Sequence, residues 1–164
     1  MKITGDGEGT VIKTTKNAFA YYPKALTDEL VTFNISVADG QKWCAVSLRG
    51  DRKESFTASG REYALIFTGS ALELSRFVDG VRTGIYSSVA NIDVLGGPSY
   101  PTDIFATDEV HEVQFGAVNT DEGVRLIVNI DGVNIFDFTD TTEGRITGTG
   151  YFKIYPNGSD IVLK

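Results

Sequence analysis

The stretch VRLIVNIDGVNIFDF, residues 124–138, decides the fold class of this chain. Apolar residues dominate both halves of the stretch, and only Asp131-Gly132 separates them. A two-residue Asp-Gly loop accepts the positive φ angles of a type I′ turn, whose twist suits two antiparallel strands. The stretch therefore predicts a β-hairpin with strands at residues 124–130 and 133–138.

Similar strand-like runs recur along the chain, with Gly, Asp or Asn between them. Alternation of apolar and polar residues, as in residues 31–37, is typical of a strand with one buried face. No segment keeps the 3.6-residue period of an amphipathic helix. We therefore predict an all-β fold, a two-sheet antiparallel β-sandwich formed by a single domain over residues 1–164. Further strands are predicted at residues 43–49, 63–67, 72–77, 110–118, 150–155 and 160–164.

The charge of the chain disfavours polyanionic partners. The 164 residues carry a net charge of −7. Nucleic acids and anionic membranes attract clustered Lys and Arg, and the longest such cluster is Arg52-Lys53. No apolar run approaches the roughly 18 residues of a membrane-spanning helix. We therefore expect neither nucleic acid nor a membrane as a partner.

Residues that could catalyse a reaction are sparse. Hydrolysis of a glycosidic bond normally needs two carboxyl groups at a matched separation. The nearest pair, Glu109 and Glu112, is spaced so that the two point to opposite faces of a strand. The single histidine, His111, shares the inward parity of Val113, and the single cysteine, Cys44, shares the parity of the core, so structural roles are expected for both. The sequence therefore predicts a binding protein rather than an enzyme.

Alternation also assigns an outer face to each predicted strand. If apolar residues such as Val46 and Leu126 point inward, their neighbours point outward. The outward set combines planar polar groups with one indole. Amides, carboxylates and guanidinium groups pair with sugar hydroxyls, and an aromatic face stacks on a sugar ring. We predict a ligand cleft formed by Trp43, Arg49, Glu73, Glu112, Gln114, Arg125 and Asn129.

Two other regions are candidates for binding. The irregular stretch at residues 87–108 can be a functional loop or a plain crossover between sheets. Tyr86 and Asn91, on or near this stretch, are secondary ligand candidates. Tyr21-Tyr22-Pro23 is an exposed aromatic candidate, with one of the two tyrosines expected in the core.

Several segments together resemble concanavalin A-like modules of carbohydrate-active proteins. The resemblance spans residues 27–164 and implies a concanavalin A-like jelly roll, in agreement with the predicted sandwich. It is carried by KWCAVSLRG at residues 42–50, ALELSRFVDG at 71–80, Asn91, HEVQFGAVNTDEGVRLIVNIDGVNIFDFTD at 111–140 and GTGYFKIY at 148–155.

The resemblance also bears on function, although the superfamily includes carbohydrate-binding modules, lectins, glycosidases, lyases and protein-binding domains. Together with the polar and aromatic outer face, it favours a non-catalytic carbohydrate-binding module. Such a module would bind a polysaccharide or oligosaccharide through a concave sheet and the adjoining loop. Because these modules are normally tethered to other domains, we expect the chain to be part of a larger secreted protein, extracellular or at the cell surface.

A structural calcium ion is a further implication of the resemblance. In similar sandwich modules the two termini often lie together and share a calcium ion, which prefers hard oxygen ligands on loops. The acidic residues near the two ends of this chain that could supply such oxygens are Asp6, Glu8 and Asp160.

Two other functions remain open at this stage. One is a structural or protein-interaction sandwich, such as a virion, tail-fibre or adhesion domain. The other is a glycan-active hydrolase or lyase with atypical acid and base residues, for which Glu73 and Glu112 are candidates. The sequence does not name the sugar. Mixed charges fit neutral glycans or fructans, and uronic-acid polymers could meet Arg49 and Arg125.

Overall fold

The chain folds into β-strands, as the sequence predicts. A computed structural model describes residues 10–13, 19–36, 43–51, 60–68, 71–89, 93–97, 109–157 and 160–163, with the backbone alone at 10–13, 156–157 and 160–163. Every regular element within these ranges is a β-strand. In the same ranges, no helix has the length and apolar character needed to cross a membrane.

The described strands form two main antiparallel sheets and a small third one. The strands are β1 (Thr10–Lys13), β2 (Ala20–Tyr21), β3 (Glu29–Ile35), β4 (Trp43–Gly50), β5 (Arg61–Thr68), β6 (Leu72–Val78), β7 (Val81–Ser87), β8 (His111–Asn119), β9 (Val124–Ile130), β10 (Val133–Asp140), β11 (Tyr151–Asn157) and β12 (Asp160–Leu163). The six-stranded sheet has the order β2-β11-β4-β5-β6-β7, and the four-stranded sheet has the order β10-β9-β8-β3. The remaining pair, β1 with β12, lies beside β3.

The hairpin predicted around Asp131-Gly132 is confirmed. Ile130 of β9 pairs with Val133 of β10, and the two turn residues have φ angles of 51° and 78°. Asp131 also accepts a hydrogen bond from the backbone N–H of Glu112, and its carboxylate lies 2.7 Å from Nδ1 of His111. These contacts hold the pKa of Asp131 below its usual value, mainly through the bond to His111. The histidine is buried at the start of β8, in agreement with its predicted structural role.

The hydrophobic core lies between the two main sheets. It is built from inward-facing residues of both, for example Leu65 and Leu74 of the six-stranded sheet and Phe115 and Leu126 of the four-stranded sheet. Cys44 is fully buried here, as its parity predicts, and burial raises the pKa of its thiol. Because the core lies between the sheets, each main sheet turns its other side away from the core, and these two outer faces are where a ligand site can form.

Part of the long irregular stretch lies along the edge strand β7. The backbone N–H groups of Leu95 and Gly96 donate to the carbonyl groups of Gly84 and Ile85, at 3.1 and 2.9 Å. Residues 93–97 therefore border the six-stranded sheet at β7, and Gly96 lies against the core residue Phe136.

Candidate functional site

The residues predicted to form one cleft lie on opposite sides of the sandwich. Register pairing puts Trp43 and Glu73 on the outer face of the six-stranded sheet, because Ala45 pairs with Ile66 and Ile66 with Glu73. Of the remaining five, the outward orientation is confirmed for all except Arg49, but on the four-stranded sheet, where these four are Glu112, Gln114, Arg125 and Asn129. A single cleft of all these residues is therefore wrong, since the whole core separates the two groups.

The outer face of the four-stranded sheet carries a network of polar side chains. Asn129 Nδ2 donates to Gln114 Oε1 at 2.9 Å, and Asn134 Nδ2 donates to Asn129 Oδ1 at 2.8 Å. Arg125 makes two hydrogen bonds to Asp137, at 2.8 and 2.5 Å, and both side chains are exposed. The polar groups of this face are thus largely paired with one another across β8, β9 and β10.

Arg49 faces the interior of the sandwich, so its predicted outward orientation is wrong. Its φ is 55°, and the pairing of β4 with β11 shifts register at this point. A positive φ at a bulge reverses the alternation on which the prediction depends. The guanidinium is buried at the end of the sandwich, where it binds the carbonyl groups of Ala117 and Ile146 and the side chains of Asp28 and Asn119.

Tyr86 also lies in the core and cannot contact a ligand on either outer face. It is 1% exposed and its ring centroid is 5.1 Å from that of Phe136. Burial raises the pKa of its phenol to about 12. Its position follows from a bulge in β7, where Leu74 pairs with Tyr86 and Ser75 pairs with Gly84.

The proposed calcium ligands and Asn91 fall largely outside the described residues. Asp6, Glu8 and Asn91 lie outside them, and only the backbone of Asp160 is described. In the β1–β12 ladder, Asp160 pairs with Lys13, at the opposite end from Thr10. Within the described part of the chain, His, Cys, Asp and Glu side chains form no group of three that could hold a metal ion. The calcium site stays a prediction.

A polar cluster lies on the outer face of the six-stranded sheet, at the edge formed by β6 and β7. We define this polar cluster as Glu73, Ser75 and Arg82. Arg82 Nη2 donates to Glu73 Oε2 at 2.5 Å, and Arg82 Nε donates to Ser75 Oγ at 2.9 Å. The side chains of Arg82 and Glu73 are 50% and 22% exposed. A guanidinium has five N–H donors, so the polar cluster offers donors and a carboxylate acceptor side by side.

Trp43 lies on the same outer face, nearer the middle of the sheet. It is half-buried and packs against an apolar cluster that contains Ala45, Ile66 and Phe77. Two strand spacings and two residues along β4 separate Trp43 from Glu73, or about 12 Å between their Cα atoms. The indole and the polar cluster are therefore within reach of one ligand of several sugar units.

Sequence reasoning missed a buried ion pair near the middle of this face. Lys153 Nζ lies 3.1 Å from Glu62 Oε2, both side chains are 1% exposed, and the Tyr155 hydroxyl donates to the same carboxylate at 3.1 Å. Lys153 projects from β11 and crosses β4 at Gly50, where a Cβ atom would overlap the Lys153 side chain. Burial raises the pKa of Glu62, and the nearby Lys153 ammonium opposes that rise. Alternation in the sequence indicates that the side chains of residues 62 and 153 point outward from their strands. Alternation alone does not show that these two side chains contact each other.

The fold of this chain is similar to that of several solved structures. No family model matches the sequence, and no curated protein matches it. Among solved structures, carbohydrate-binding module CBM66 from Bacillus subtilis aligns with a TM-score of 0.62 at 16% identity, over 96% of this chain and 89% of that one. A Bacillus subtilis protein with a galectin-like fold aligns with a TM-score of 0.65 at 12% identity, over 99% and 83%.

A third structure belongs to an enzyme. It is a prokaryotic β-1,3-1,4-glucanase (lichenase) derived from a mouse hindgut metagenome, with a TM-score of 0.56 at 10% identity over 88% of this chain and 66% of that one. The chain has a concanavalin A-like fold. This confirms the predicted fold class. The same fold serves a binding module and a hydrolase, so function has to be argued from the site.

Proposed function

We propose that this chain is a non-catalytic carbohydrate-binding domain that binds a polysaccharide on the outer face of its six-stranded sheet. The observation that carries the proposal is the polar cluster, where the half-exposed Arg82 guanidinium lies against the Glu73 carboxylate on the outer face of β6 and β7. Paired donors and acceptors of this kind bind vicinal sugar hydroxyls. The likeness of the fold to that of CBM66 supports the proposal.

The geometry of two carboxylates on this face favours binding over hydrolysis. Glu62 pairs with Phe77 and Glu73 pairs with Ile66, so the two are four residues and one strand spacing apart, or about 14 Å between their Cα atoms. Glycosidases hold their two carboxyl groups roughly 5 to 10 Å apart. The two side chains also point in opposite directions, Glu62 to Lys153 on β11 and Glu73 to Arg82 on β7. They do not form an acid–base pair around one glycosidic bond.

Affinity electrophoresis with a matched control tests the proposal. The gels contain β-1,3-1,4-glucan, β-1,4-galactan, inulin or polygalacturonate, and the variants are Arg82→Ala and Arg125→Ala. Arg125 makes an equivalent exposed ion pair with Asp137 on the opposite face, so its removal controls for the loss of a surface arginine. We expect one polysaccharide to retard the wild type and Arg125→Ala, and Arg82→Ala to bind about tenfold more weakly, since a charge-assisted hydrogen bond contributes about 1.5 kcal/mol.

Two results would count against this function. If none of the four polysaccharides retards the wild type, the carbohydrate proposal is wrong for these ligands and the protein-interaction alternative gains weight. If Arg125→Ala loses affinity while Arg82→Ala keeps it, the binding face is the four-stranded sheet.

A further inference from the structure

Four aromatic side chains cluster at the opposite edge of the same outer face, on and beside β2 and β11. We define this aromatic cluster as Phe19, Tyr21, Tyr151 and Tyr155. The ring of Phe19 is nearly parallel to those of Tyr21 and Tyr155, with centroids 6.2 and 6.1 Å away, and Tyr21 meets Tyr151 edge to face at 5.3 Å. The register explains the cluster, because Tyr21 pairs with Lys153 of β11, which lies between Tyr151 and Tyr155 on the same face.

The inner rings of the aromatic cluster are fixed by the buried ion pair. The Lys153 ammonium lies 5.6 Å from the ring centroid of Phe19 and 5.1 Å from that of Tyr155, within the range of cation–π attraction. The Tyr155 hydroxyl is bound to Glu62. Phe19, held in this way, packs against Tyr21 and restricts the movement of that ring, so Tyr21 loses less conformational entropy when a ligand binds.

The outer rings of the cluster are open to solvent. Tyr21 is 36% exposed and Tyr151 is half-buried, whereas Tyr155 is buried. The expectation that at least one of Tyr21 and Tyr22 belongs to the core is wrong, because both are exposed, Tyr22 at 50%. A ring with one packed side and one exposed side presents a flat apolar surface with a phenolic hydroxyl at its rim. The apolar C–H face of a sugar ring stacks on such a surface.

We propose that Tyr21 and Tyr151 form a second sugar-binding subsite, which stacks on one unit of the same polysaccharide that contacts the polar cluster. This inference rests on the proposed function and names its ligand as an extended chain. The two sites lie at opposite edges of one sheet, on β2 and β11 and on β6 and β7, so three to five strand spacings, or roughly 14 to 24 Å, separate their residues. Only a chain of several sugar units reaches both.

The buried centre of the face separates the two sites. Glu62 and Lys153 lie between them and are each 1% exposed, so these two side chains offer a ligand almost no contact surface. A short fragment therefore occupies one site at a time. Dependence of affinity on chain length is the property that distinguishes two linked subsites from a single site.

The test compares Tyr21→Ala and Tyr151→Ala with Tyr22→Ala. Tyr22 adjoins Tyr21 and is more exposed, but it follows β2 with the opposite parity, so it controls for the loss of an exposed tyrosine at this edge. The probes are the polysaccharide of the four above that retards the wild type most and the disaccharide repeat unit of that polysaccharide. Calorimetry measures polysaccharide affinity, NMR titration measures disaccharide affinity, and circular dichroism checks the fold of each variant.

We expect Tyr21→Ala and Tyr151→Ala to weaken polysaccharide binding about tenfold, and disaccharide binding at the polar cluster to change less than twofold. Tyr22→Ala should match the wild type for both probes. The inference is overturned if the polysaccharide affinities of Tyr21→Ala and Tyr151→Ala equal that of the wild type, or if both probes weaken equally. Loss of binding in Arg82→Ala together with unchanged binding in both tyrosine variants rejects this subsite and leaves the proposed function standing. If none of the four polysaccharides retards the wild type, this subsite and the proposed function are both rejected for these ligands.

Discussion

At the scale of single residues, Arg49 shows how one backbone angle moves a side chain from a predicted surface to the interior. Arg49 Nη1 donates to Ile146 O at 2.6 Å and to Asn119 Oδ1 at 2.7 Å, and Nη2 donates to Ala117 O at 2.9 Å. These bonds join β4 of one sheet to β8 of the other and to the segment after β10. Arg49 thus stabilises the sandwich, and nothing in its surroundings gives it access to a ligand on either outer face.

Replacement of this arginine should therefore affect stability and spare binding. We expect Arg49→Ala to lower the free energy of unfolding by about 3 kcal/mol, since two buried carbonyl groups lose their donor at about 1–3 kcal/mol each. Urea denaturation measures this change, and Arg145→Ala, which removes an exposed arginine bonded to Thr142 O, is the control. Polysaccharide affinity of the folded variant should stay within twofold of wild type. If the Arg49→Ala protein folds like the wild type but binds polysaccharide tenfold more weakly, Arg49 takes part in binding and its purely structural role is wrong.

At the scale of elements, the end of β10 joins the two main sheets through a buried carboxylate. Asp140 is fully buried and accepts hydrogen bonds from Tyr63 of β5 at 2.9 Å and from Arg76 of β6 at 2.6 Å. Thr142 adds bonds from its backbone and its hydroxyl. Burial alone would raise the pKa of Asp140, but these donors lower it below the ordinary value of 3.8.

This lowered pKa predicts how stability depends on pH. A carboxyl group that binds its proton less tightly when folded adds stability above its unfolded pKa, and this stability is lost as the pH falls through the folded pKa. We expect Asp140→Asn to be about 3 kcal/mol less stable than wild type at pH 7, as for other broken buried pairs. The difference should shrink as the pH falls below 3.8. Thermal unfolding of both proteins from pH 7 to pH 2 measures it. If the difference in stability between wild type and Asp140→Asn stays constant from pH 7 to pH 2, the ionised Asp140 carboxylate is not the source of the stability.

The sequence predicted individual strands and one hairpin but not how the strands pair into sheets, and the reason is physical. Alternation depends on local contacts, so it gave the strand at residues 124–130 and the outward parity of Glu73 and Gln114. It carries no information on which sheet a strand joins, because strand pairing is set by contacts distant in sequence. The two outer faces were therefore merged into one cleft. The bulges at Arg49 and in β7 reverse which side chains point inward beyond them. No sequence pattern marks these bulges as clearly as Asp-Gly marks the turn between β9 and β10.

At the scale of the whole molecule, the distribution of charge constrains the ligand. The chain carries a net charge of −7. On the outer face of the six-stranded sheet, however, Glu73 is paired with Arg82 and Glu62 with Lys153. These two pairs add no net charge to the face, while the excess negative charge repels polyanions at long range. For the proposed polysaccharide site, this distribution of charge favours a neutral polysaccharide over a uronic-acid polymer.

Salt dependence of binding tests this preference directly. Between 50 and 500 mM NaCl, screening shortens the range of charge–charge interactions severalfold. It leaves short hydrogen bonds and ring stacking largely unchanged. We therefore expect the affinity for a neutral glucan, galactan or fructan to vary less than twofold across that range, measured by calorimetry. Polygalacturonate should bind weakly at low salt because of repulsion. Tight binding of polygalacturonate at 50 mM that falls more than tenfold at 500 mM would mean that a free cationic group on the molecule recognises carboxylates, and the neutral-ligand argument would then be wrong.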